Sequence, residues 1–227
     1  LEIEKERFEH NLWVERKAMK RLYDAVKALQ KEALVVFNTR MRLQSDPQKG
    51  LRSEKAYMSH FEIESLPTGG WGYLHFPMLA RYCLPLDKEV VSMTGRFHDS
   101  WGDFGGLKNR KALAYECFRS LALGAKCSIG DQLHPRGVLD KATYELIGSV
   151  YEEVKVKEKW CEGTKLQADI GVLICSESEG PAAGFGKIYG KDSDEGATLM
   201  LTELHHQFHL IDKESDFEQY SLIIAPD

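Results

Sequence analysis

No apolar run in this chain approaches the roughly 18 residues that a bilayer-spanning helix needs, so no membrane anchor can be read from it. There is no basic tract either. With 30 Lys and Arg set against 35 Asp and Glu, the net charge of −5 gives no electrostatic footprint for a nucleic acid. The five cysteines (Cys83, Cys117, Cys127, Cys161 and Cys175) are odd in number and never form a Cys-x-x-Cys pair. They read as reduced thiols, so a cytoplasm-like reducing compartment is expected, with export left open. No Gly-x-Ser-x-Gly nucleophile elbow occurs. Gly184 to Lys191 fails as a phosphate loop, because Gly184 stands one residue too far from Gly190-Lys191 and Asp192 replaces the hydroxyl residue. His205-His206-x-x-His209 fails as a metal motif, because a strand pattern begins at Phe208 and breaks the helical spacing. No cofactor, metal, nucleic acid or membrane partner is therefore expected.

The chain does carry a repeated alternation of strand and helix. Phe8, Leu12, Met19, Leu22, Val26 and Leu29 recur at helical spacing and predict an amphipathic helix over residues 4–30. A β-branched run from Ala33 to Phe37 predicts the first strand. The polar stretch from Arg40 to Lys55 reads as a mobile loop over the strand ends. Strands are then expected at 57–63, 89–97 and 125–130, with helices at 74–82, 108–123 and 141–157. Gly124 supplies one helix stop and Asp140 one N-cap.

Four such units are half of a (β/α)8 barrel, which takes about 250 residues in full. A second pattern follows: a strand at 169–175, a helix from Ser193 to Gln207 capped by Asp192, and strands at 208–211 and 221–225. That order opens a doubly wound, flavodoxin-like sheet. The expected domains are residues 1–163 and 164–227. Both chain ends cut through continuing structure, so the sequence reads as a fragment of a longer polypeptide.

The chemistry-bearing residues cluster just past three of these strands. His60, Glu62 and Glu64 alternate onto one face of their strand, opposite Phe61 and Ile63. Glu64 stands nearest the C-terminal strand end, where barrel active sites lie. The plainer reading is an internal ion-pair network. Ser92, Thr94, Arg96 and His98 are expected to share a face of the next strand, followed at once by Trp101 and Asp103. An indole beside Arg and His suits a sugar ring, although a core Trp and a structural Arg fit the same letters. Asp131, Gln132 and His134 close the third segment, where Gly130 lets backbone approach closely and a capped turn around Asp131 is the alternative.

The segments His60 to Tyr73, Met93 to His98, Trp101 to Gly105 and Gly130 to Gly137 resemble the bacterial glycoside hydrolases of family 151. These are α-L-fucosidases and relatives with an architecture like the family 42 β-galactosidases. The resemblance implies a catalytic barrel, then an amidotransferase-like, flavodoxin-type domain that supports a homotrimer. It implies a retaining mechanism whose aspartate nucleophile lies outside this chain, so that the fragment alone is inactive. The expected acid/base is Glu64, with Glu62 second and a lid carboxylate such as Glu54 as a substitute. His60, Trp71, Arg96, His98, Trp101, Asp131 and His134 would line a carbohydrate pocket. The competing reading is a carbohydrate-binding or assembly module that has lost catalysis.

Overall fold

The computed structural model describes residues 2–38, 41, 43–175 and 192–226. In chain order its elements are α1 (Glu2–Leu29), α2 (Leu51–Glu54), β1 (Phe61–Glu64), α3 (His75–Cys83), β2 (Val90–Gly95) and α4 (Arg110–Ala122). β3 (Lys126–Gly130), α5 (Lys141–Cys161), β4 (Ile170–Leu173), α6 (Asp192–Glu203), β5 (Phe208–Ile211) and β6 (Leu222–Ile224) follow. The protein is mixed α/β, with two parallel sheets ordered β1-β2-β3 and β5-β4-β6. Contacts gather it into two compact units: Glu62–Ala80 with Val90–Leu166, and Leu1–Phe61 with Arg81–Glu89 and Gln167–Asp227. No helix among the described residues is long and apolar enough to cross a membrane.

In the unit built on β2 and β3, the register pairs Ser92 with Cys127, Met93 with Ser128 and Thr94 with Ile129. One face of the sheet is covered by helices. Leu113, Ala114 and Cys117 of α4 meet Val150 and Val154 of α5, and Cys127 and Ile129 pack against that cluster. The caps explain where these helices begin. Asn109 Oδ1 accepts from the Lys111 N–H at 2.9 Å, and Asp140 Oδ1 accepts from the Thr143 N–H at 2.8 Å. Gly124 takes the left-handed φ of 76° that ends α4. The opposite face of the sheet carries Glu62, Glu64, Met93, Ser128 and Gly130, all half-buried.

In the other unit, β4 pairs parallel with both β5 and β6. Gly171 lies at the centre, where a Cβ would stand 2.7 Å from Ile211 Cδ1. Phe8, Leu12 and Met19 of α1 are buried, but Leu22, Val26 and Leu29, expected on the same stripe, are 57%, 37% and 87% exposed. The strand expected at 33–37 does not form: Ser59 N–H donates to Val35 O and Val35 N–H to Ser59 Oγ, but no ladder of backbone bonds builds on that pair.

The stretch read as a mobile loop is a packed one. Leu43, Gln44, Ser45, Leu51 and Glu54 are buried, and Arg52 is tied by its Nε to Asp212 at 2.7 Å and by its guanidinium to Ser215. Tyr82 donates to the same Asp212 carboxylate at 2.6 Å. A Glu54 that is 3% exposed within this packing does not suit a lid carboxylate.

The helix expected to reach Gln207 stops at Glu203. His206 N–H donates to Leu201 O and His205 N–H to Thr202 O, with His205 at φ 59°. That is a Schellman stop with histidine in the usual glycine position. Residues 176–191, with Gly184 to Lys191 among them, Arg40 and the capping side chain of Asp192 lie outside the described residues.

Candidate active site

The C-terminal ends of β1, β2 and β3 meet on the open face of their sheet, and Trp101 joins them. On β1 the burial alternates: Phe61 and Ile63 are buried while Glu62 and Glu64 are half-buried. Both carboxylates therefore share the open face, about 6–7 Å apart along the strand. The chain leaves β2 at Gly95 and turns through 96–108, which brings the Trp101 indole back over Met93 and Gly130. Trp101 Nε1–H then donates to Glu64 Oε1 at 2.6 Å. Phe97 supports the ring edge-on, centroids 5.1 Å apart. At 37% exposure the indole still offers surface to a ligand.

Arg96 and Asp131 are also brought together. Arg96 Nε donates to Asp131 Oδ1 at 2.8 Å, with only 4% of the Arg side chain exposed. The guanidinium also donates to the carbonyls of Phe104 and Gly106, at 3.1 and 3.0 Å, and lies against the Phe97 ring. Arg96 N–H donates to Gly130 O, and Lys108 N–H to Arg96 O. A buried cation shared between one carboxylate and two carbonyls fixes the loop that carries Trp101. Asp131 Oδ1 also accepts from the Gln132 N–H at 2.8 Å, the local turn foreseen as its alternative role.

The remaining candidates disperse. Trp71 stacks edge-on against His75, centroids 4.9 Å apart. His98 is exposed in the bend after β2. His134 turns into its own loop, where its Nδ1 accepts from the Arg136 N–H at 3.1 Å. His60 is half-buried in the bend ahead of β1 and belongs to the other unit. Thr94 points at the helix layer, where it donates to Glu116 of α4, and the strand that would carry the alternation on to Arg96 and His98 ends at Gly95.

Thr94 leads to a polar cluster that the sequence reading missed. Lys108 Nζ donates to Glu116 Oε2 at 2.6 Å and to Thr94 Oγ1 at 2.9 Å, while Thr94 donates to Glu116 at 2.6 Å. Tyr73 OH reaches Glu116 Oε1 at 3.5 Å, and burial with this carboxylate nearby raises the Tyr73 phenol. A small cavity of about 20 Å³, water-sized, opens beside them between Ser65, Ser92, Thr94, Tyr115, Glu116 and Arg119. His75 lies next to it, bonded to Ser65 Oγ at 3.0 Å, and burial pushes its imidazole down to about 3. The sequence signal was available: Leu113, Glu116, Cys117 and Ser120 occupy one helical stripe, so a carboxylate there faces inward. Charges on helices are usually solvated, and that general rule hid it.

No protein-family model matches the sequence, and no curated protein does. A solved structure does. The chain is similar to α-L-fucosidase isoenzyme 2 from Paenibacillus thiaminolyticus, at 43% identity over 93% of this chain with a TM-score of 0.81. It spans 31% of the length of that protein. At this identity the chain shares the α/β fold of that portion of the fucosidase.

Proposed function

We propose that this chain is the site-bearing part of a retaining glycoside hydrolase acting on terminal α-L-fucose or a closely related sugar. In this reading residues 1–163 are the C-terminal half of a (β/α)8 barrel and residues 164–227 begin a flavodoxin-like domain. The whole protein is cytoplasmic and assembles as a homo-oligomer, a trimer by the family resemblance. Glu64 is the general acid/base. It protonates the glycosidic oxygen as the bond breaks, then takes a proton from the water that releases the sugar from the enzyme. The nucleophile comes from outside this chain. Trp101 presents its ring face to the C–H face of the sugar. Arg96 and Asp131 hold the loop.

The observation that carries this reading is the Trp101–Glu64 pair, a carboxylate fixed by an indole on the open side of three converging strand ends. The likeness to a fucosidase supports the substrate class. Glu62, one strand step back on the same face, is the second candidate. A rival reading, binding or assembly without catalysis, is favoured by the way Arg96 spends its donors on Asp131 and on loop carbonyls.

The test is turnover of aryl α-L-fucosides by the whole glycosidase carrying Glu64→Gln. General acid–base catalysis is worth about 10²–10⁴-fold. The loss in kcat/KM should be largest for poor leaving groups and small for dinitrophenyl fucoside, whose departure needs no proton. On that substrate kcat should still fall, because the second step has lost its base. Undiminished turnover in Glu64→Gln, with loss in Glu62→Gln, would reassign the acid/base.

A further inference from the structure

The Trp101 indole occupies the space that a side chain at residue 130 would fill. A Cβ built on Gly130 would overlap Trp101 Cη2 and come within 3.1 Å of Cζ2 and 3.2 Å of Met93 Sδ. Backbone conformation does not demand glycine here: Gly124 and Gly137 have positive φ, and Gly130 does not. The absent side chain therefore answers to the close approach of the ring. From that slot the indole N–H reaches Glu64 Oε1 at 2.6 Å, and the Phe97 ring stands edge-on to it.

We infer that Gly130 is a positioning residue, whose missing side chain seats the Trp101 indole so that its N–H holds the Glu64 carboxylate at the strand ends. Its consequence for catalysis rests on the acid/base role proposed for Glu64; its structural content does not. A methyl group at 130 must push the indole outward along the open face. The N–H then leaves Glu64, and the carboxylate loses the indole donor that helps to set its rotamer. Substitution at residue 130 is thereby transmitted to Glu64, on a different strand, through one ring.

Two measurements test this. In ¹H–¹⁵N spectra of the 227-residue chain, Trp101→Phe identifies the Trp101 indole resonance among those of Trp13, Trp71 and Trp160. Gly130→Ala and Glu64→Gln should each shift that resonance and speed its solvent exchange about tenfold, as expected for loss of one charge-assisted bond. The other three resonances should stay in place, which also shows that the fold survives.

In the whole glycosidase, Gly130→Ala should lower kcat more than it raises KM and should displace the acid/base limb of the pH profile. It should cost nothing further in a Trp101→Phe background, because a phenyl ring stops short of the Cη2 position. An unmoved Trp101 resonance in Gly130→Ala, or an equal cost in both backgrounds, overturns the inference. Undiminished turnover in Glu64→Gln overturns the acid/base assignment alone and leaves the indole result standing.

Discussion

Replacing Glu116 with leucine should damage the protein more than removing the whole polar cluster to which Glu116 belongs. Lys108 and Glu116 are 1% and 7% exposed at their side chains, and their charged atoms stand 2.6 Å apart. At an effective dielectric constant of about 20 the pair attracts by roughly 6 kcal/mol, most of which is cancelled by taking both ions out of water. Glu116→Leu removes the attraction and leaves the buried ammonium, so it should cost about 3–5 kcal/mol. Lys108→Met with Glu116→Leu removes both charges but strands the Thr94 hydroxyl, at about 1–3 kcal/mol. Adding Thr94→Val removes that group too, and the triple variant should return close to the parent.

Amide hydrogen exchange of peptides from β2 and α4 reads this locally, without assuming that both units unfold together. Glu116→Leu should accelerate the slowest amides about 10²- to 10⁴-fold. The triple variant should regain most of that protection. A triple variant as poorly protected as Glu116→Leu, or a single variant with near-parent protection, would refute the reasoning. The outcome matters for the site because Lys108 N–H also holds Arg96 O, the base of the loop that carries Trp101.

Acid should weaken the protein through His75. Its folded value of about 3 lies below its unfolded one, so the unfolded chain binds the extra proton. Stability is then lost as pH falls from about 6.5 toward 3, by up to about 1.4 kcal/mol per pH unit, and His75→Asn should flatten that slope in denaturation curves. Leu113→Ala, at a fully buried position between α4 and α5, should cost about 2–5 kcal/mol in the same exchange experiment. Arg96→Lys should fail to restore the loop, because one ammonium cannot serve Asp131 and the carbonyls of Phe104 and Gly106 together; protease nicking within 96–108 reports it. Cys83 and Cys117 are buried and both thiols are pushed up, by apolar burial at Cys83 and chiefly by the contact with Cys127 at Cys117. Native thiol labelling should therefore reach Cys161 before either.

The strands and helices were legible wherever a hydrophobic period and a cap agreed. Phe208–Ile211 matched to the residue, and Asp140 capped α5 as its side chain required. The expected strand at 33–37 failed because β-branched composition describes a surface that suits pairing without supplying a partner. The polar run after Arg40 misled for a related reason. Gln44, Ser45, Arg52 and Glu54 look like solvent-facing residues, yet they are buried or half-buried, and Arg52 answers Asp212, about 160 residues away in sequence. Such long-range partners leave no local signature.

At the site, period-two reasoning worked for as long as the chain stayed in a strand. It placed Glu62 and Glu64 together correctly and then failed at Gly95, one residue before Arg96. Beyond that point side chains are placed by where loops are pinned. Arg96 pins the loop through its carbonyls, Lys108 pins the far end, and Gly130 leaves the room into which the loop delivers Trp101. The Glu64 carboxylate is thus coupled, through the Trp101 indole, to the residues that pin this loop. A change in the loop from 96 to 108 that preserves every pocket-lining letter should still move Glu64, whereas a change on the helix-covered face of β3 should not.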